Sequence, residues 1–423
     1  MTSGTLYPPS QVQGRNDDSM TVSFSAGPQA LGFFYQVRVA LLLVLEGPDE
    51  VEATIEGLDD IQLDSVGTDV VKQKLFQVKH HITRKANLTD SSIDLWKTVR
   101  IWATYASKPN YPLTDSKLFL LTTATAQPGS IVHMLLANNR DPVEAEKRLL
   151  AIATTSSNKD LVTAFEAFSG LDSDARSALV SSIYVLDGQP NIHECKQKIK
   201  ARIRPAVKRE YLDSFYERVE GWWFDRAMQN LLEPGKKSRI QAFDVNEKMA
   251  SIASGFHDES LPIDFLHESP DAEFVQTSKQ KTFVKQLKAI GVEPRTVTKA
   301  IFDYYKAFCQ RSRWLVDGLV VSGELENFES TLVDEWERCV DALKSENMGV
   351  TEEDLKSFGR HVFRWAELET GHLKIRPRVE TDYVRRGSFH LLADKAPIPM
   401  IYWHPNFLGL LEAAVAAAGG DDK

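Results

Sequence analysis

The hydrophobic periodicity of this chain changes near residue 142, and the change separates two parts of different fold class. Before it, an apolar stripe at helical spacing is followed by short runs of strand character and one further helical stripe. The predicted elements are a helix, three strands, a helix and a strand, over residues 28–44, 51–55, 61–63, 74–78, 91–105 and 118–122. This order is typical of an α/β domain with a central sheet.

Beyond residue 142 the spacing of apolar residues stays helical. It predicts helices over residues 144–153, 173–183, 192–203, 210–232, 245–254, 283–290, 297–324, 327–346 and 351–369. The prolines and glycine between 373 and 405 favour an irregular, ordered cap, followed by a short helix over 406–418. The loop at 233–238 is the best domain boundary. It gives a flexible leader over 1–22, a first domain over 23–235 and a helical domain over 240–423.

Charge and composition narrow the class of protein. A formal net charge of −9 argues against a surface that coats nucleic acid throughout, although it allows a local basic groove. The three cysteines are widely spaced and form no disulfide framework or paired metal-ligand pattern, and no secretion signal is visible, so we expect a cytoplasmic protein. The longest apolar run near the start, residues 39–45, is too short to span a bilayer, so we expect no membrane partner.

Two successive predicted strands bring polar side chains to one edge of the sheet. Side chains alternate between faces along a strand, so Gln77 and Lys79 share a face, and Asp60 stands at the start of the preceding strand. Pairing these strands can place all three together. Burying a carboxylate, an amide and an ammonium group is unfavourable unless they bind something.

Phosphodiester hydrolysis would account for this group. Divalent cations such as Mg²⁺ or Mn²⁺ prefer oxygen ligands, here the Asp60 carboxylate, the Gln77 side-chain carbonyl and the Val78 backbone carbonyl. Lys79 can hold the attacking water and neutralise charge that develops on the phosphate. The alternative is a surface hairpin whose charged groups form solvated pairs.

Three nearby side chains are candidates for the same site. Glu56 is a further catalytic carboxylate, and Asp59 is a supporting one that can complete the site or help to hold a second ion. Gln36, on the first helix, either hydrogen-bonds the edge of the site or is a satisfied buried amide.

Basic residues supply candidate DNA contacts. His80 has either a DNA-backbone or a structural role. Lys97 and Arg100 lie on the helix after the site, where Arg100 either contacts phosphate or packs on Trp96. Residues 196–209 hold seven Lys or Arg side chains, which form either a DNA or partner surface or a solvated helix face.

The spacing of Asp60 and Gln77-Val78-Lys79, 17 positions from Asp60 to Gln77, resembles the PD-(D/E)xK nucleases in the variant that has Gln in place of the second acid. The surrounding sequence, from residue 28 to about 232, is similar to the double-stranded-DNA endonuclease domain of bacterial anti-phage effectors. That domain occurs in CBASS effectors and in the nuclease subunit of Lamassu, or ABC-three-component, systems. The segments that carry the similarity are Gly32-Phe-Phe-Tyr-Gln36, Glu56 with Asp59-Asp60-Ile61, Gln77-Val-Lys79, Leu95-Trp-Lys-Thr98 and Leu120-Leu-Thr-Thr123.

The C-terminal half resembles a C-terminal domain of ABC-three-component effectors. The segments that carry this similarity are Gln310-Arg-Ser-Arg-Trp314, Asp334-Glu-Trp-Glu337, Arg386-Gly-Ser-Phe-His-Leu-Leu-Ala-Asp394 and Trp403-His-Pro-Asn-Phe407. The two resemblances imply a restriction-endonuclease-like α/β domain followed by a mostly α-helical docking and regulatory domain. They imply a Mg²⁺-dependent DNA endonuclease of an antiviral defence complex, held inactive by an SMC-like ABC ATPase and a small third subunit.

Two hypotheses follow from the sequence. In the first, the chain cuts double-stranded DNA after release from its partners, and self-association into a homo-oligomer is needed for activity. In the second, the nuclease fold is catalytically inactive and serves as a DNA- or partner-binding scaffold, since Gln77 stands where many such nucleases have an acid. The sequence lacks a Gly-rich phosphate loop, so ATP hydrolysis is expected from a partner.

Overall fold

The computed structural model describes residues 27–65, 72–81, 87–108, 113–233, 239–345 and 351–409. The predicted leader over 1–22, most of the boundary loop at 233–238 and most of the predicted last helix over 406–418 lie outside these residues.

The described residues between 27 and 241 contain both strands and helices. In chain order these elements are α1 (Gly27–Glu46), β1 (Val51–Ile55), β2 (Ile61–Ser65), β3 (Gln73–Lys79), β4 (Asn87–Leu88), α2 (Ile93–Ala106), β5 (Ser116–Thr122), β6 (Thr125–Ala126), α3 (Ile131–Met134), α4 (Pro142–Thr155), α5 (Val162–Ser169), α6 (Ser173–Ser182), β7 (Ile183–Leu186), α7 (Ile192–Ile203), α8 (Leu212–Leu232) and β8 (Ile240–Gln241). The helices that follow are α9 (Ala242–Ala253), α10 (Ala272–Ser278), α11 (Thr282–Ala289), α12 (Pro294–Val316), α13 (Glu324–Ser345), α14 (Glu352–Leu368) and α15 (Asp382–Ala393).

Six strands form one mixed sheet in the order β7–β5–β3–β2–β1–β8. The strand β5 is parallel to both β3 and β7, with Gln77 opposite Leu120, while β8 is antiparallel to β1. The short strands β4 and β6 pair separately in parallel. A parallel pair needs a crossover connection, and the segment from β3 to β5, which contains α2, supplies it here.

The predicted strands of the first part are confirmed, and four others, β4, β6, β7 and β8, were not foreseen. Only Ile183 of β7 was covered by a prediction, as the last residue of a helix over 173–183, but the run Ile-Tyr-Val-Leu is rich in β-branched and aromatic residues and pairs with β5. The strand β8 follows the predicted boundary near 235–240, yet it pairs with β1 through Glu52 opposite Gln241.

The first helix, α1, is a core element. It stops before Gly47-Pro48, as predicted, and its buried side chains include Tyr35 and Leu41, which are fully enclosed. The stretch Gln29–Glu46 is also long and apolar enough to cross a membrane by length and composition, which the shorter run at 39–45 did not reveal. In the structure 44% of that stretch is buried within the protein.

The chain divides into two compact units. The first comprises Met1–Ala40, Ile55–Gln62 and Val70–Cys195, and the second comprises Leu41–Thr54, Leu63–Asp69 and Lys196–Lys423. The predicted domain boundary near residue 235 stays a prediction, since these units count residues 196–235 with the C-terminal part. The core of the first unit is built around Trp96, whose ring packs edge-on against Phe165.

The C-terminal helices depart from the prediction in three places. The helix α10 was not foreseen. The helix predicted over 297–324 is wrong at its end: α12 stops at Val316, where Gly318 adopts a positive φ of 63° and Leu319 donates a hydrogen bond back to Trp314. The irregular cap predicted over 373–405 is also wrong, because it contains the helix α15. The prolines of that segment flank α15 and do not interrupt it.

The helix α15 packs tightly on α12 in the core of the second unit. Phe389 and Leu392 of α15 are enclosed there. Gly387 faces the backbone of α12 so closely that a Cβ at this position would collide with the Asp303 carbonyl oxygen and with the Cβ of Ala307. Absence of a side chain at residue 387 is therefore a condition of this packing.

A partly buried ion-pair network holds α8 to two loops of the second unit. The Arg218 guanidinium bonds both oxygens of Asp264 at 2.7 Å and one oxygen of Asp317 at 3.0 Å. Burial alone would raise the pKa of Asp264, but the hydrogen bonds and charge of Arg218 outweigh it, so the pKa of this carboxyl is lowered.

We expect Gly387→Ala to destabilise the protein by about 1–3 kcal/mol, because a methyl group there must displace backbone atoms of α12. Urea unfolding followed by tryptophan fluorescence measures this. The control is Gly221→Ala in α8, where a Cβ meets nothing within 4 Å, so helix propensity should leave stability unchanged or slightly raised. Equal stability of the two variants would contradict the packing argument.

We expect the stability of the second unit to fall as the pH drops below about 4, because a carboxyl whose folded pKa is lowered stabilises the fold only while it is ionised. Asp264→Asn should lower the free energy of unfolding at pH 7 by about 1–3 kcal/mol and weaken this acid dependence. The control is Asp258→Asn, whose exposed pair with Lys208 should contribute less than about 1 kcal/mol. Identical pH profiles for wild type and Asp264→Asn would contradict the prediction.

Candidate functional site

The tight turn between β1 and β2 presents three acidic residues. Glu56 begins the turn with a positive φ of 55°, and its N–H donates to the Asp60 carbonyl oxygen at 3.0 Å. A residue other than glycine is strained in this conformation, so the contacts around the turn hold Glu56 in it. Asp59 and Asp60 follow directly, and both are largely buried.

The strand β3 meets this turn through the Asp60 carboxylate. Oδ2 of Asp60 accepts the backbone N–H of Val78 at 2.7 Å and a short hydrogen bond from Nε2 of Gln77. Lys79 is close enough that its charge lowers the pKa of Asp60. The structure thus brings together the three residues that the strand pattern placed at one edge.

The Gln77 side chain leaves one polar atom without a partner. The residue is only 3% exposed, its amide nitrogen is bound to Asp60, and its carbonyl oxygen Oε1 is buried and accepts no hydrogen bond. An orphaned buried oxygen beside a carboxylate is suited to a cation. Within the described part of the chain, no cluster of three His, Cys, Asp or Glu side chains could hold a metal ion, so a metal site here depends on amide and backbone oxygens.

Burial and like charge raise the pKa of both aspartates. For Asp59, burial is the largest cause and raises the pKa to about 6; a hydrogen bond from Trp102 opposes this and the charge of Asp60 adds to it. For Asp60, burial again raises the pKa, while the Val78 N–H and the Lys79 charge lower it. A nearby positive charge stabilises the ionised form of two adjacent buried carboxyl groups. The charge of Lys79 does so only in part, because both pKa values stay raised.

Trp102 on α2 is a supporting residue that the sequence did not reveal. Its indole Nε1–H donates to Oδ2 of Asp59 at 2.7 Å, while Oδ1 of Asp59 accepts the backbone N–H of Asp60 at 3.1 Å. Both Asp59 oxygens are therefore occupied, and the side chain orients the backbone of Asp60. The buried Trp102 sits at helical spacing among core residues, so nothing in its sequence context distinguished it from them.

Gln36 links α1 to the same turn. It is buried, and its Nε2 donates to Oε1 of Glu56 at 2.9 Å. Gln36 was predicted either to hydrogen-bond the edge of the site or to be a satisfied buried amide. Both hold, since the partner of its amide nitrogen is a residue of the candidate site. Glu56 is exposed, and its charge raises the pKa of Asp60.

The candidate DNA contacts separate into two kinds. His80 stacks on Tyr35 with ring centroids 4.2 Å apart, and burial lowers its pKa, which favours the structural alternative. Lys97 and Arg100 are exposed on α2. The Arg100 guanidinium contacts the Thr163 hydroxyl at 3.5 Å and is open to solvent. Trp96, the alternative packing partner of Arg100, lies in the core.

Much of the basic stretch over 196–209 is occupied by contacts inside the second unit. The contacts join Lys196 to the Tyr216 ring, Lys200 to Asp213, Arg202 to the Leu45 carbonyl oxygen and Lys208 to Asp258. Four of its seven cations are engaged in this way, which weakens the case for a continuous DNA-binding surface.

Comparison with known proteins gives information on the C-terminal part. Residues 283–411 match C-terminal domain 7 of the ABC-three component (ABC-3C) systems. No curated protein sequence matches the chain.

Among solved structures, the chain is similar to a SAVED/CARF-domain containing Cap4 receptor of Moraxella osloensis, at 13% identity over 66% of this chain and 68% of that one, with a TM-score of 0.31. It is also similar to the Acinetobacter baumannii Cap4 receptor with the cyclic trinucleotide 3'3'3'-cAAA, at 12% identity over 65% of this chain and 58% of that one, with a TM-score of 0.31. These scores do not establish a shared fold. The domain match supports membership of an ABC-three-component system and points to a component of bacterial anti-phage defence.

Proposed function

We propose that this chain is the metal-dependent DNA endonuclease subunit of an ABC-three-component defence system of the Lamassu type. The single observation that carries the catalytic part is the buried, unpartnered Oε1 of Gln77 beside the Asp60 carboxylate. The match over residues 283–411 supports the defence context. The proposed location is the cytoplasm, with double-stranded DNA as substrate and an SMC-like ABC ATPase and a small third subunit as partners.

The donor set fits a hard divalent cation. Asp60 supplies a charged oxygen, Gln77 a neutral one that is already desolvated, and the Val78 carbonyl remains the third proposed ligand. Mg²⁺ or Mn²⁺ bound there would supply Lewis-acid stabilisation of the phosphate. Glu56, at the exposed rim of the turn, is the proposed additional carboxylate.

The protein's own groups have distinct roles in this proposal. Lys79 orients the attacking water and offsets the charge that develops on the phosphate oxygens. Asp59 and Trp102 keep the backbone of Asp60 in place through their hydrogen bonds. Lys97 and Arg100, exposed on α2, are the proposed contacts to the DNA backbone.

We expect Asp60→Asn and Lys79→Ala to abolish Mg²⁺-dependent plasmid cleavage, because each removes a charge at the reacting centre. The assay uses the full chain, both released from its partner subunits and forced to self-associate. Lys74→Gln is the matched control, since this lysine lies on β3 but points to the opposite face from Lys79. Absence of cleavage by wild type in both forms, together with intact phage defence by Lys79→Ala, would favour the scaffold function instead.

We expect Gln77→Glu to lower stability without metal, because it adds a third carboxyl group to a buried site that already holds Asp59 and Asp60. Mg²⁺ should restore this stability and raise the thermal midpoint more than it does in wild type. Gln73→Glu, on the same strand but at its far end, serves as the control. A thermal midpoint of Gln77→Glu that does not respond to Mg²⁺ or Mn²⁺ would exclude a metal at this position, whatever the activity of the chain.

A further inference from the structure

A second concave site lies within the second unit, apart from the residues of the candidate metal site. It is a cavity of about 570 Å³ lined by residues of α8 and α9 and by the segments 254–264 and 378–381. This volume is within the range of pockets that hold small organic ligands. Its floor includes Pro262, whose Cα would lie 3.1 Å from a Cβ on Gly255, so a glycine at 255 allows the two walls to meet.

The charges on the cavity wall do not cancel. Of the two lining carboxylates, Asp264 is neutralised by Arg218, and Glu380 faces Lys374 at 3.6 Å. Two further lining cations, Lys248 and Arg378, form no ion pair with any residue that the structure describes. The cavity therefore offers two uncommitted positive charges to a ligand.

An aromatic ring and several hydroxyl groups complete the lining. Trp222 of α8 is half-buried at the wall, so part of its indole is open to the cavity. The serines at 251, 254 and 260 and the threonine at 381 line the same space. Guanidinium and ammonium groups bind phosphate through charge-assisted hydrogen bonds, and an indole face stacks on a planar ring.

We propose that this cavity binds a mononucleotide, with its phosphate held by Lys248 and Arg378 and its base against Trp222. A purine or pyrimidine monophosphate combines the two chemistries that the wall presents, an anion and a flat aromatic ring, at a size that the cavity accommodates. The proposal is independent of metal binding and of cleavage at Asp60.

The test is calorimetric titration of the full chain with adenosine monophosphate in EDTA, with adenosine and inorganic phosphate as separate arms. The monophosphate should bind more tightly than either fragment. The double variant Lys248→Gln with Arg378→Gln should weaken its binding about tenfold or more, since each cation makes a charge-assisted contact. Trp222→Ala should weaken binding of the monophosphate but leave binding of inorganic phosphate unchanged.

Two controls separate this site from others. Arg295→Gln with Lys299→Gln removes two exposed cations of α12 outside the cavity and should leave affinity unchanged, as should Asp60→Asn. The variants at Lys248, Arg378, Arg295 and Lys299 should keep the thermal midpoint of wild type, because these side chains are exposed or partly exposed. The proposal is overturned if adenosine monophosphate does not bind, if adenosine binds equally well, or if the double variant retains wild-type affinity.

Discussion

The Asp60 carboxylate joins the β1–β2 turn to β3, and the geometry of the candidate site depends on that contact. By accepting the Val78 N–H, it fixes where the turn stands over the strand. By accepting Nε2 of Gln77, it also fixes the orientation of that amide, so that the carbonyl oxygen is the end left without a partner. An unpaired buried carbonyl is unfavourable. Its persistence beside a carboxylate is the strongest structural argument that this edge of the sheet binds a cation.

The carboxylate oxygens of Asp59 and Asp60 have different hydrogen-bond partners, and the two residues therefore have different roles. Asp59 accepts one N–H on each oxygen, from Asp60 and from Trp102, and burial raises its pKa to about 6. A carboxyl group enclosed in this way is a structural support. Asp60 is directed toward β3 and the charge of Lys79. In the proposed metal site, support and ligand are therefore separate residues, as pre-organised sites require.

Periodicity predicted the elements that carry the site, because β1, β2, β3 and α2 each have a regular apolar face. Alternation along β3 also placed Gln77 and Lys79 on one face. It could not show that Trp102 reaches Asp59, since an indole at a core position gives the same pattern with or without a polar partner. Apolar periodicity also failed to predict α15, because prolines flank this helix. Gly387 within α15 is needed for close packing and does not break the helix.

Whether residue 77 is Gln or Glu changes the charge of the site. This charge bears on how the proposed nuclease is kept inactive. A glutamate there would be a third acidic group beside Asp59 and Asp60, whose pKa values the charge of Lys79 lowers. Without metal such a site would be less stable, because three neighbouring carboxylates repel one another. A glutamine keeps an oxygen ligand but removes that charge, so the domain can be stable without metal and bind it more weakly. A neutral ligand would suit the nuclease proposed above, which is to stay inactive until its partners release it.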